Sequence, residues 1–196
     1  TEEFPRFGIE TTMAEMRDPT SYEAAIQPNT KILYIETLTN PVLKVCDIPA
    51  MVEIAKRHNL LCIIDNTFTS PWACQPLSMG VDLVIHSTTK YLGGHSDIIG
   101  GGVVGSKELI AEIFGRKAVF GGNPDPHTCY LLERGMRTLH VRMPVLCQNA
   151  AELARRLEAH PMIEKVNHPS LVSHEDYEVA QRVMPKGTGM IAFVVK

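Results

Sequence analysis

Apolar residues along this chain fall into short runs divided by polar stretches with glycine and proline, and the spacing within the runs alternates between two periods. Residues 31–35, 60–64 and 81–85 are compact apolar stretches rich in branched side chains, the pattern of buried strands. Between the first two, Ile48, Met51, Val52, Ile54 and Ala55 recur at helical spacing. Asp47 is placed to cap that helix, Pro49 sits in its first turn, and it ends near His58 and Asn59. A shorter helical connection over 77–80 leads into the third strand. Upstream, Tyr22, Ala25 and Ile26 predict a helix over 19–27 that Pro28 and Asn29 break. Strand, helix, strand, helix, strand with short connections is the signature of a parallel sheet, so the fold class is α/β.

Beyond the third strand the pattern continues with a strand at 101–105, a helix at 107–114 and a loop at 121–126. A helix follows over 127–139. Pro144 then suits the first turn of a long helix carrying Leu146, Ala150, Leu153, Ala154 and Leu157 on one face. Strands at 163–166 and 190–195 flank a helix at 177–183. These last elements read as the start of a smaller α+β domain, which divides the chain into residues 1–143 and 144–196. The sequence opens without Met and closes directly after a strand, and is expected to be an interior piece of a longer chain.

Composition narrows the function without naming it. A charged fraction of 21% and a formal net charge of −3 lack the basic excess of nucleic-acid binders. The five cysteines form no C-x-x-C pair, which supports neither a disulfide framework nor a zinc site. No apolar run approaches a membrane span and no leader is visible, so the expectation is a soluble, cytoplasmic protein.

Chemistry-bearing residues gather where the strands end. Asp65 closes the second strand, Lys90 follows the third in His86-Ser87-Thr88-Thr89-Lys90-Tyr91-Leu92-Gly93-Gly94, and Glu36 follows the first. Ligands of open α/β sheets bind outside the carboxyl ends of strands. An acid closing one strand and a lysine after the next, with hydroxyls beside it, is what pyridoxal phosphate requires. The lysine forms a Schiff base with its aldehyde and the carboxylate keeps its pyridine nitrogen protonated. On spacing alone, Asp65 reads equally as a turn former and Lys90 as a surface lysine lying over apolar neighbours. Three other signals are weaker. Gly100 to Gly105 fits G-x-G-x-x-G but overlaps a strand where a dinucleotide site needs a helix N-terminus. His86, His95 and Asp97 lack a second ligand pair for a metal. Cys74 near Ser70 has no activating histidine placed by any motif.

Several motifs in order carry a resemblance. Glu36-Thr37-Leu38-Thr39-Asn40-Pro41, Asp65-Asn66-Thr67-Phe68, the stretch from His86 to Asp97, and Arg134-Gly135-Met136-Arg137-Thr138-Leu139-His140-Val141-Arg142 resemble the Cys/Met-metabolism family of pyridoxal-phosphate enzymes. That family includes cystathionine γ-lyase, cystathionine γ-synthase, cystathionine β-lyase and methionine γ-lyase. The resemblance implies a fold-type I, three-layer, parallel-rich α/β sheet with pyridoxal 5'-phosphate as cofactor. By the same resemblance Lys90 is the Schiff-base lysine, Asp65 the partner of the ring nitrogen, and Ser87 and Thr89 the phosphate-binding positions, with Thr88 in the same loop. Asn40 matches an asparagine near the phenolic oxygen and Thr67 a residue lining the ring face. The family implies β- or γ-elimination or γ-replacement on sulfur-bearing or activated homoserine-derived amino acids, most narrowly by a cystathionine γ-lyase or γ-synthase. Its members are homo-oligomers, dimers of dimers, about twice this length. They place a cofactor-stacking tyrosine and a phosphate-binding turn upstream of this chain and a carboxylate-binding arginine downstream of it. Asn123-Pro124-Asp125-Pro126 departs from the Ser-Pro pattern of many lyases, which leaves lyase and synthase both open. A different expectation is a non-catalytic fragment or binding module that keeps the fold without a complete site.

Overall fold

A computed structural model describes residues 3–196. Four strands, β1 (Ile32–Glu36), β2 (Leu61–Asp65), β3 (Leu83–Ser87) and β4 (Gly101–Gly105), form one sheet in that order. The first three run parallel and β4 is antiparallel to β3. The helices are α1 (Pro19–Ala25), α2 (Ile48–Arg57), α3 (Ser70–Ala73), α4 (Lys107–Phe120), α5 (Pro126–Met136), α6 (Leu139–Glu158) and α7 (Tyr177–Val183). A second sheet pairs β5 (Ile163–Asn167) antiparallel with β6 (Ala192–Val195). No helix among the described residues is long and apolar enough to cross a membrane.

The pleat gives the main sheet two unlike faces, because successive side chains alternate sides. Leu33 and Ile35, Cys62 and Ile64, and Val84 and His86 are buried. The aliphatic members join a core with Ile48, Met51, Val52, Ile54 and Ala55 of α2, and with Ala180 and Val183 of α7. Each such aliphatic side chain gains roughly 1.5–3 kcal/mol from burial, and that fixes which way every strand faces. Glu36, Asp65 and Ser87 alternate onto the other, partly exposed face. Register aligns Glu36 with Asp65 and Asp65 with Ile85, so these residues lie at one edge, the carboxyl end of the parallel strands.

Several predicted features change. Helix α6 begins at Leu139, five residues before Pro144, which therefore lies inside the helix. The Thr138 carbonyl accepts from the N–H groups of Val141 and Arg142 and closes the first turn ahead of the proline; Pro144 costs the helix only one donor near its start. Its buried stripe is Met143, Cys147, Ala150 and Ala154, while Leu146 and Leu153 are exposed. Asp47 stands at the start of α2 without a side-chain capping bond. It instead accepts from Arg182 at 2.9 Å. Strand boundaries shift by one or two residues, and β3 extends through His86 and Ser87 because the ladder with β4 continues to the pair Ser87 and Gly101. The fourth helix runs on to Phe120, with Ser106 accepting from Leu109 N–H at its start.

Candidate active site

A chain of hydrogen bonds joins the ends of β2 and β3. Asp65 Oδ1 accepts from the Thr67 N–H at 2.8 Å, and Thr67 Oγ1 accepts from the Ser87 N–H at 2.8 Å. Thr67 thus does more than line the edge: it fixes the spacing between the acid and the hydroxyl-bearing loop. Asp65 Oδ2 and Ser87 Oγ have no hydrogen-bond partner among the described residues and remain free for a ligand. His86, on the buried face, has its pKa lowered by burial, an effect the nearby Asp65 carboxylate opposes.

Below this edge lies a residue whose role the sequence did not reveal. Asn66 is fully buried, and its Oδ1 accepts from Thr37 Oγ1 at 2.7 Å and Thr69 Oγ1 at 2.5 Å. Its Nδ2 donates to the Ser70 and Cys74 carbonyls. Four bonds leave no buried polar atom of this amide unpaired, so Asn66 locks the turn that presents Asp65. The signal was present as a buried run of hydroxyl residues after an apolar strand, Thr67, Thr69 and Ser70, which needs a shared polar partner.

Lys90 is exposed and its amine forms no ion pair or hydrogen bond among the described residues. Its backbone is held tightly: Lys90 N–H donates to the Ser87 carbonyl, and the Lys90 carbonyl accepts from Gly94 N–H at 2.8 Å. The hydroxyls around it are not equivalent. Thr89 Oγ1 accepts from Gly100 N–H at 3.0 Å and lies 3.4 Å from the Gly100 carbonyl. Thr88 is buried, and its side chain packs beside Gly100 and Gly102, away from the open edge. Asn40 is exposed in the loop after β1, preceding a cis bond to Pro41, with Thr39 anchoring the turn through Lys44. Burial, then the Asp65 charge, raises the Glu36 carboxyl, while the Asn40 backbone N–H lowers it.

The weaker sequence signals do not converge on chemistry. Cys74 is buried and its thiol is pushed up to about 12, so it is no thiolate nucleophile. His95 Nδ1 bonds the Gly93 carbonyl at 2.7 Å, Asp97 pairs with Arg134 at 3.5 Å, and His86 points into the core. Gly101 to Gly105 is strand β4 and opens no helix.

A free amine, a carboxylate with one unbonded oxygen and a free hydroxyl, all at the carboxyl end of parallel strands, fit an aldehyde, a pyridinium nitrogen and a phosphate. Such a set suits pyridoxal phosphate at the carboxyl edge of an α/β sheet. The family model described as "Cys/Met metabolism PLP-dependent enzyme" matches residues 1–196, and the chain belongs to that family. It is 45% identical over 194 residues to an L-methionine gamma-lyase from Porphyromonas gingivalis, covering 97% of this chain and 49% of that relative. To a cystathionine gamma-lyase from Bacillus subtilis it is 46% identical over 189 residues, covering 96% and 50%. The crystal structure of a cystathionine gamma-lyase from Lactobacillus plantarum complexed with L-serine superposes with a TM-score of 0.94 at 42% identity, covering 98% of this chain and 51% of that one. The chain spans about half the length of these proteins. The expected family, α/β fold and cofactor are therefore borne out.

Proposed function

We propose that the full protein carrying this chain is a transsulfuration enzyme performing β- or γ-elimination or γ-replacement on sulfur-containing or activated homoserine-derived amino acids. Cystathionine γ-lyase or γ-synthase is the narrower reading. The observation that carries it is the joined edge of Asp65, Thr67 and Ser87 with the unpaired Lys90 amine just beyond. Relatives that match this chain are named L-methionine gamma-lyase, cystathionine gamma-lyase and probable cystathionine gamma-synthase, and that supports the reaction class.

The bound cofactor supplies an electron sink for charge developing at the substrate α-carbon. In our reading Lys90 would hold the cofactor covalently and, once freed by the substrate amine, would move protons between the α-carbon and the side-chain carbons. A lysine free of ion pairs is suited to that, because the neutral amine is the base. Asp65 keeps the ring nitrogen protonated through the oxygen not engaged by Thr67. Ser87 donates to the phosphate, and Thr89 does so by turning its hydroxyl away from Gly100. Thr88 shapes the loop from within. Asn40 would lie near the phenolic oxygen and Thr67 would line the ring face. Residues 1–143 form part of the cofactor-binding domain, and residues 144–196 the linking helix and the beginning of a smaller domain. The protein works in the cytoplasm as a homo-oligomer, a dimer of dimers. Product analysis tests the reaction: the full protein is given cystathionine, and separately an acylated homoserine with cysteine. Release of 2-oxobutanoate and cysteine identifies a lyase, formation of cystathionine a synthase, and turnover of neither overturns both.

A further inference from the structure

The stretch Arg134 to Arg142 was singled out in the sequence, yet nothing in the proposed chemistry uses it. In the fold it converges on the loop that carries Lys90. Arg142 Nη2 donates to the Tyr91 carbonyl at 3.0 Å and the Gly135 carbonyl at 2.9 Å, while its Nε donates to Thr138 Oγ1 at 3.0 Å. Gly94, at a φ of +78°, lies against the guanidinium, and a Cβ there would overlap Arg142. The backbone of Gly135 approaches the Leu92 and Gly93 carbonyls so closely that a Cβ has no room. The preceding residue, Arg134, pairs with Asp97 at 3.5 Å.

This arginine has no carboxylate partner among the described residues. Burial without a counter-charge lowers its pKa, a cost that a surface arginine avoids. The compensation is geometric. A planar guanidinium donates from Nη2 to two carbonyls, one on the residue following Lys90 and one on α5, while its Nε donates to Thr138, and lysine has no equivalent second nitrogen.

We propose that Arg142 is a positioning residue for Lys90, clamping the loop 91–94 against the junction of α5 and α6 so that the lysine amine is presented at the sheet edge. The proposal rests on the role given to Lys90 above. It assigns Gly94 and Gly135 as the space that lets the clamp close, and Thr138 as the acceptor that aims it.

The test uses the full protein with Arg142→Lys, Arg142→Gln and, as a milder variant that removes the Nε acceptor together with the Thr138 Oγ1 bond to the Gly135 carbonyl, Thr138→Val. Arg155→Gln, an arginine paired with Glu152 on the exposed side of the same helix, is the control. Amide hydrogen exchange at Gly93 and Gly94 is measured on cofactor-free protein, and the rate of capture of added pyridoxal phosphate is followed by absorbance. Both Arg142 variants are expected to speed exchange and slow capture by about tenfold, the factor carried by one charged hydrogen bond. Thr138→Val moves both in the same direction by less, and the control moves neither. Unchanged exchange and capture in the Arg142 variants, or full recovery of both by Arg142→Lys, overturns the clamp. Borohydride reduction of the unsubstituted protein separates the two claims: no label at Lys90 overturns its cofactor role, whereas a labelled Lys90 with unchanged exchange in the variants overturns the clamp alone.

Discussion

Two loops leave the same edge of the sheet, and they are held in place by different physics. The loop after β1, which carries Asn40, is held by charge. Asp176, nearly buried, accepts from Arg17 Nε at 2.7 Å and from the Val45 N–H at 3.0 Å, and His174 Nε2 donates to the Leu43 carbonyl at 3.1 Å. The loop after β3, which carries Lys90, is held by shape: two glycines, a guanidinium and backbone carbonyls, with the peripheral Arg134 to Asp97 pair its only salt bridge among the described residues. Charge makes the first loop sensitive to pH and to loss of a partner. Shape makes the second sensitive to single added carbons.

The largest expected effect falls on the charged loop. Asp176→Ala leaves Arg17 without its best partner and the Val45 N–H unpaired, and is expected to cost about 3–5 kcal/mol, read as a lowered urea midpoint. Next comes Gly135→Ala. In an ordinary helix this exchange stabilises by up to about 1 kcal/mol; here the new Cβ meets the Gly93 carbonyl, so a loss of about 1–3 kcal/mol is expected. A stabilised variant would remove the shape argument.

The pH response is smaller and separates the loops more cleanly. Asp176 N–H donates to His174 Nδ1, which leaves the proton on Nε2 and the ring neutral. Burial lowers the His174 pKa in the fold below its ordinary value of 6.5. The unfolded chain then binds the extra proton first, so this contribution is complete above about pH 6.5 and is lost as pH falls toward the folded pKa. His168 shifts in the same direction for the same reason. Melting temperature should therefore fall on acidification below about pH 6.5, and His174→Gln should flatten that slope. The smallest effect belongs to Arg155→Gln, whose exposed pair should leave the melting temperature unchanged.

Most of the fold was legible because its strands are buried on their long runs and α2 carries a clean apolar stripe; Ile48, Met51, Val52, Ile54 and Ala55 are all buried as the spacing predicted. What escaped notice was decided by partners distant in sequence. Periodicity favoured Leu146 and Leu153 on α6, yet contacts across the fold bury Met143 and Cys147 instead. Serine at 87 looked like loop because it is polar, but its backbone belongs to the ladder with Gly101. The positions of Asp65 and Lys90 at the strand ends followed directly from the apolar runs before them. The bond network that orients them did not. Asn66 bonds the hydroxyls of nearby Thr69 and distant Thr37, and Arg142 reaches back 51 residues to Tyr91, so the first role has only a partial local signature and the second has none.

The central claim is that this sheet edge holds pyridoxal phosphate through Lys90. Borohydride reduction of the full protein with bound cofactor, followed by peptide mass mapping, tests it most directly. The account predicts a single modified peptide with the reduced cofactor on Lys90, and no modification after Lys90→Ala in a protein that still folds. A reduced cofactor on any other lysine, or the same label surviving Lys90→Ala, would contradict it.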